Sequence, residues 1–265
     1  MSEAGEPWTL DPRPTDNAYC RRGGYADGSP SLAKFAMETS LHRDLKALYA
    51  GRDARFEVTL GGYRIDVVSG DQLVEIQHGS LAAIRDKVRS LVAGHRVLVV
   101  KPIVAQKLLV KRKAKGGRVT ARRMSPKRGQ ILDLFDELVY FTQVFPHHRL
   151  VLDVPLVEIE EWRYPGHGRR RRWRANDHEV EDRKLVAVRE VYRLQTAADV
   201  GGLITCPLPR PFHTGQLAAA LGVKRWLAQR IAYCLRKIGA LGEVGKKGNA
   251  RLYEFQRSRK IRQAC

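Results

Sequence analysis

The chain has no long apolar run and no paired cysteines. Its longest apolar stretches, Val97-Leu98-Val99-Val100 and Leu217 to Leu221, fall far short of the roughly 18 residues a spanning helix needs, which excludes a helical membrane span. The four cysteines, Cys20, Cys206, Cys234 and Cys265, form no Cys-x-x-Cys pair and stand at no spacing to histidine that reads as a zinc site. Reduced thiols in a cytoplasmic protein are therefore expected. The start, Met-Ser-Glu-Ala-Gly-Glu-Pro, is acidic and lacks the apolar segment of a secretory signal. Acidic charge is the other shortage: 28 Asp+Glu face 48 Lys+Arg, a formal net charge of +20 over 265 residues. An excess of that size points to a polyanionic partner, of which nucleic acid is the commonest. The plainer alternative is a high background of surface Arg and Lys.

With 43% hydrophobic residues the composition is that of a globular protein, long enough for one large domain or two ordinary ones. Residues 1–30, rich in Pro, Gly, Asp and Arg, read as an extended leader. Leu32, Phe35, Ala36, Leu45, Leu48 and Tyr49 recur at helical spacing, which predicts a helix over 32–49. Strands are expected over 55–60, 63–68 and 72–77, joined by Gly61-Gly62 and by Ser69-Gly70-Asp71. Ser80 is placed to cap a helix carrying Ile84, Val88, Leu91 and Val92, and Gly94 to end it before a buried strand over 95–103. That order of elements predicts an α/β domain with a mixed sheet, over 31–124.

Between Lys101 and Arg128 there is no acidic residue, and Gly116-Gly117 in the middle suggests a basic hairpin or arm carrying Lys111, Arg112 and Lys113. A middle region over 125–208 is expected to hold a helix from Ser125-Pro126 to Phe145 and two long strands, 149–164 and 181–194. These are joined by a loop with Arg170, Arg171, Arg172 and Trp173, cations and a ring suited to a nucleic-acid strand. His147-His148 are assigned no role. Thr196 to Asp199 reads as a capping box. Residues 209–256 read as helix (215–221), turn, helix (224–238) and hairpin, followed by a basic tail over 257–265.

The sharpest constellation lies in the second and third strands. If Gly70-Asp71 is the turn, Val68 faces Leu73, Val67 faces Val74 and Asp66 faces Glu75, with Gln77 on the Glu75 side. Like charges opposed across a hairpin are unfavourable unless something offsets them. A divalent cation is one such partner, since Mg²⁺ is held by one or two carboxylates with waters and phosphate oxygens. The other reading is two solvated acids paired with Arg64 or a nearby Lys. The spacing leaves both open.

Asp66, eight residues, then Glu75-Ile76-Gln77, inside helix–strand–strand–strand–helix–strand, resembles the PD-(D/E)XK, restriction-endonuclease-like nuclease superfamily over about residues 32–103. The resemblance implies Mg²⁺ (or Mn²⁺) at Asp66 and Glu75, assisted by Glu38 from the first helix and the carbonyl of Ile76, with phosphodiester hydrolysis as the reaction. His42, one helical turn after Glu38, joins them as a candidate contact to metal or phosphate. Tyr63 and Glu57 stand close in sequence but read as structural. The superfamily usually has Lys where this chain has Gln77, which positions water but carries no charge. Either activity is weakened or a cation arrives from elsewhere, with Arg85 and Lys87 on the following helix as candidates.

The C-terminal helices and hairpin resemble a winged helix-turn-helix domain. The resemblance places Lys224, Arg225, Trp226, Gln229 and Arg230 in a major groove and Lys246 and Lys247 of the wing on phosphates. Cys234 falls on the apolar face and reads as core. These readings converge on a restriction-endonuclease-like α/β core, a middle α+β region with a long β-hairpin and a C-terminal winged helix. The expected activity is metal-dependent cleavage of double-stranded or branched DNA, and the resemblance admits a homodimer. The alternatives are a DNA-binding protein whose nuclease-like domain no longer cuts, and an RNA-binding or RNA-processing factor.

Overall fold

The computed structural model describes residues 38–166 and 177–256. The chain order is α1 (Ser40–Tyr49), β1 (Arg55–Leu60), β2 (Tyr63–Ser69), β3 (Gln72–Ile76), α2 (Arg85–Val92), β4 (Arg96–Val100), β5 (Ile103–Arg112) and β6 (Val119–Met124). It continues with α3 (Phe135–Leu138), β7 (Leu150–Pro165), β8 (His178–Leu194), α4 (Ala197–Gly202), α5 (Thr214–Leu221), α6 (Arg225–Lys237), β9 (Leu241–Lys247) and β10 (Ala250–Phe255). A 3₁₀ turn leads into α2 and another into α3. No helix among the described residues is long and apolar enough to cross a membrane.

Strands β1 to β8 form one mixed sheet, and β9 and β10 a separate ribbon. The expected mixed α/β architecture is what the chain adopts. β3, β4 and β7 run parallel, while β1, β2 and β8 are antiparallel to their neighbours. The sequence predicts one buried strand over 95–103; the structure has two. β4 pairs with β7 at Val97↔Leu150 and Val100↔Asp153, and β5 continues in the same register at Ile103↔Leu156. They are one line of chain, bridged by Lys101 N–H donating to the Asp153 carbonyl at 2.8 Å and interrupted in name because Pro102 has no N–H to give. β3 flanks one end of this line and β6 the other.

The stretch between those two neighbours is filled by loops. Gln77 N–H reaches the Val100 carbonyl and Gly129 N–H the Val104 carbonyl. Gly129 is required there: a Cβ would stand 2.5 Å from the Val104 oxygen. This tether also explains why the helix expected from Ser125 starts late. Ser125 N–H still donates to the Lys107 carbonyl, so residues 125–129 follow the sheet. Helical turns begin only at Ile131, where Gln130 and Asp133 form a capping box. The regular helix is short, ending at Leu138 rather than Phe145.

The two faces of the sheet bury different clusters. One gathers Ile65, Leu73, Val97, Leu152 and Val154 with α2, with Phe135, Phe141 and Phe145, and with α5 and α6. Each fully buried phenylalanine contributes roughly 1.5–3 kcal/mol relative to exposure. The other face packs Leu41 and Leu45 of α1 on Val67, Val74, Ile76, Leu98, Val100, Val157 and Ile159. Helix α1 starts at Ser40, with residues 38 and 39 outside it; the earlier part of the expected helix, 32–37, lies outside the described residues. Its N-terminus is fastened from β8, where Asp182 accepts from Ser40 N–H at 2.9 Å and from Ser40 Oγ at 2.6 Å. A carboxylate there offsets the positive end of the helix.

The Thr196–Asp199 capping box forms as the sequence predicts. His213, which the sequence leaves unremarked, caps α5 by accepting at Nδ1 from Gly215 and Gln216 N–H. Gly222, at φ 63°, makes the turn between α5 and α6. Helix α6 is anchored on the body of the protein by buried Ile231, Cys234 and Leu235 and by the Arg230–Asp136 ion pair to α3.

Candidate functional site

The β2–β3 ladder follows the predicted register at Val68↔Leu73 and Val67↔Val74, then stops. At the next position a side chain takes over the ladder's role: Asp66 Oδ2 accepts from Ile76 N–H at 2.8 Å. The strand turns over here: Ile65 and Val67 pack into opposite core clusters, although residues two apart share a face in a regular strand. Strand β1 is interrupted at the same level. It pairs Phe56↔Val67 and Val58↔Ile65, and the residue between, Glu57, sits at φ 56°, a conformation that costs a non-glycine residue about 1–3 kcal/mol. Three carboxylates, Glu57, Asp66 and Glu75, thus lie on three adjacent strands where the backbone is least regular.

Cations from two helices hold them. Lys46 of α1, only 5% exposed, places Nζ 2.9 Å from Glu38, 3.5 Å from Asp66 Oδ1 and in contact with Glu57. His42 Nε2 lies 3.3 Å from Asp66 Oδ1 and 3.6 Å from Glu38. Glu38 joins this group from the segment preceding α1, not from the helix itself. Lys87 of α2 reaches back to the Arg64 carbonyl and stands 2.6 Å from Glu75 Oε1. It is off the line of a hydrogen bond, so this buried oxygen has no hydrogen-bond partner. Arg64 pairs with Glu57.

The two central acids titrate in opposite directions. Burial pushes the Asp66 carboxyl up, but hydrogen bonds from His42 and Ile76 and the nearby Lys46 more than reverse this, and its net shift is down. Burial dominates at Glu75 and lifts it to about 7, against the pull of Lys87. A carboxyl raised in the fold contributes stability that is full below its unfolded value of 4.5 and is lost as pH rises through about 7. The Glu75→Gln protein should therefore lose less stability than wild type between pH 5 and pH 7.5, read as the change in urea midpoint across that interval.

Past Ile76 the regular strand ends. Gln77 lies beyond the end of β3 and spends its amide on the Ser80 carbonyl, at 2.7 Å. His78 packs against His42, ring centroids 5.3 Å apart. Its Nε2 is buried without a hydrogen-bond partner, and burial, with His42, Lys101 and Arg183 nearby, lowers its pKa to about 4. Lys101 donates to the carbonyls of His78 and Gly79, and Glu137 Oε2 accepts from Leu81 N–H at 3.0 Å. The sequence reading missed Lys46, His78, Lys101 and Arg183. Lys46 alone carries a local signal, four residues after His42 on α1.

The residues expected on nucleic acid are spread over three places. Lys224, Arg225, Trp226 and Gln229 are exposed at the start of α6, and Lys246 and Lys247 on the ribbon. Arg230 is committed to Asp136 and lies over the Trp226 ring. Lys111 and Lys113 are exposed on the β5–β6 hairpin, but Arg112 pairs with Glu181 at 3.1 Å and covers Trp162. Arg170, Arg171, Arg172 and Trp173 lie outside the described residues. Among the described residues no three His, Cys, Asp or Glu side chains converge as a metal cage.

Residues 39–195 match the family described as Domain of unknown function (DUF8091). A protein of Treponema pallidum (strain Nichols), named Uncharacterized protein, is 30% identical over 218 residues, covering 82% of this chain and 84% of its own. No solved structure matches. The matched span runs from the residue before α1 past the end of β8, and so includes His42, Lys46, Asp66, Glu75 and Lys87. The chain belongs to the DUF8091 family, and its carboxylate hairpin lies within the domain that defines the family.

Proposed function

We propose that the protein is a metal-dependent phosphodiesterase acting on DNA, with Asp66 and Glu75 as its metal-binding carboxylates. The observation that carries this reading is the interruption of the β2–β3 ladder, where the Asp66 carboxylate accepts from the Ile76 N–H in place of a backbone carbonyl, and the preceding Glu75 is a buried carboxylate. Such an arrangement leaves two acids on adjacent strands in a partly buried place, at an energetic cost that packing alone does not require. The donor set suits Mg²⁺, which needs only one or two carboxylates besides water and phosphate oxygens, and Glu75 Oε1 is a buried oxygen met by the Lys87 ammonium as an ion pair at 2.6 Å. The Ile76 carbonyl and Glu38 complete the proposed set. When bound, the ion supplies Lewis acidity and an activated water.

The chain's own groups divide the remaining work. Lys87, beside Glu75, supplies the positive charge that Gln77 lacks; with the Gln77 amide engaged at Ser80, the orienting of water falls to Lys87. His42 and Lys46 keep Asp66 ionised. The exposed cations of α6, β9 and the β5–β6 hairpin hold the nucleic-acid backbone, as in a winged helix placed beside a restriction-endonuclease-like core. The direction of Gln77 also favours a second reading, a related fold that binds DNA without cutting it.

Labelled plasmid and branched DNA, incubated with wild type and Lys87→Met in Mg²⁺ or Mn²⁺, separate the two. The nuclease reading expects cutting by wild type and a loss of roughly 10²–10⁴-fold in Lys87→Met, the scale of a positioned proton-transfer or charge-stabilising group. Tight DNA binding with every substrate intact supports the second reading, and preference for structured RNA in competition overturns the choice of DNA.

A further inference from the structure

A second charged cluster lies on the sheet beside the carboxylate site. Glu161 of β7 is 1% exposed, and three cations converge on it. Lys107 Nζ of β5 stands 2.7 Å from Oε2, Arg183 Nε of β8 3.1 Å from the same oxygen, and Arg163 Nε 2.5 Å from Oε1. Burial opposes its ionisation, but these partners hold the Glu161 carboxyl down at about 2, so it stays charged at any working pH. One carboxylate neutralises one cation. The three cations around Glu161 therefore carry an excess of two positive charges, gathered by a buried anchor into one partly exposed group. A carboxylate that served only to satisfy an internal lysine or arginine would not need three, and their mutual repulsion is unfavourable without a further anion.

The cluster adjoins the site. Arg183 is close enough to His78 to lower its proton affinity, and the preceding Asp182 fastens the start of α1, which presents His42 and Lys46. Arg183 is the most exposed of the three, its side chain 42% accessible, and its guanidinium meets Glu161 through Nε. Arginine presents five donors in a planar fork suited to phosphate.

We propose that Lys107, Arg163 and Arg183, organised by Glu161, form a phosphate-binding site that receives a phosphate of the nucleic acid engaged at Asp66 and Glu75. The inference rests on the phosphodiesterase reading and names the groups that position its substrate. The phosphate comes from one of two sources, an internal phosphodiester or a terminal phosphate on a strand end. Arg183 and Lys107 are positioning residues here. Glu161 orders them and touches no substrate.

The test is anisotropy of fluorescent DNA oligonucleotides, with and without a 5′-phosphate, titrated with the full chain in EDTA so that binding is read without hydrolysis. Arg183→Ala and Lys107→Ala are each expected to weaken binding by about tenfold and to lower the slope of log affinity against log salt by about 1. Arg183→Lys should recover part of the loss. A loss confined to the phosphorylated oligonucleotides identifies a terminal phosphate, and an equal loss on both identifies an internal one. Affinity and salt slope unchanged in variants whose thermal unfolding is also checked would make the cluster a scaffold for Glu161 and overturn the proposal. If Arg183→Ala fails to fold, Lys107→Ala and Arg183→Lys carry the same test. Wild type that binds no nucleic acid removes the phosphodiesterase reading as well, whereas wild type that binds and cuts, with Arg183→Ala indistinguishable from it, removes the phosphate site alone.

Discussion

Asp66→Asn is expected to abolish metal-dependent cleavage while leaving the fold in place. The substitution keeps the shape of the side chain and its acceptor oxygen for Ile76 N–H, but removes the charge that a divalent ion requires. Metal assistance stabilises transition-state charge by several kcal/mol, so the rate should fall by roughly 10³-fold or more. Calorimetric titration with Mn²⁺ should show a matching loss of binding. The charge lost is one that the protein goes to some trouble to keep: His42, Lys46 and the Ile76 amide together overcome the burial that would protonate it. An Asn variant that cut at the wild-type rate would place the chemistry elsewhere.

Lys46→Met should produce the largest loss of stability among single changes at the site. Its ammonium, 5% exposed, is shared by Glu38, Glu57 and Asp66, and methionine fills the space without the charge. Removing one partner from a buried ionic group costs about 3–5 kcal/mol, because the remaining charges stay buried and unpaired. Arg64 still pairs with Glu57 and His42 with Asp66, which sets the expectation near the lower figure. For a domain of this size that is a fall of roughly 6–12 °C in Tm. Asp66 titrates below its ordinary value in the fold, so the stability it contributes is present above that value and is lost as pH falls. The Lys46→Met penalty should therefore shrink in acid, as Asp66 takes up its proton, and thermal unfolding at pH 7 and at pH 3 measures the difference.

Where local chemistry decides an element, the sequence is readable. The Gly61-Gly62 and Ser69-Gly70-Asp71 turns fix the registers of β1, β2 and β3, because a turn of known length leaves few ways to pair its strands. The caps at Ser80 and Thr196 are likewise decided by side chains within three residues. The misread elements are those fixed by distant parts of the chain. Residues 125–129 carry a respectable helix start, yet hydrogen bonds to Lys107 and Val104 hold them on the sheet. The break at Pro102 hides the fact that β4 and β5 form one line along β7, which only the shared register reveals.

The site divides in the same way. Asp66 and Glu75 stand out from the hairpin spacing and His42 from its place four residues after Glu38. The need for a cation after the Gln77 position points to Arg85 and Lys87 alike; Lys87 stands at Glu75 and Arg85 pairs with Asp86 at the surface. Lys46 follows His42 by one helical turn, but that spacing does not mark its burial among carboxylates. Glu57 read as structural, and its left-handed backbone opposite Asp66 depends on both strand pairings at once. Arg183 lies more than a hundred residues from the hairpin, and only the antiparallel pairing of β8 with β7 brings it to Glu161.

The central claim is that the Asp66–Glu75 hairpin hydrolyses phosphodiesters with a divalent ion. Its most direct test is cleavage of labelled branched DNA by the full chain in Mn²⁺, in Mg²⁺ and in EDTA, with Glu75→Gln run alongside. The account predicts cutting in either metal, none in EDTA, and none by the variant. Wild-type protein that binds the same DNA tightly yet leaves it whole in both metals would contradict it.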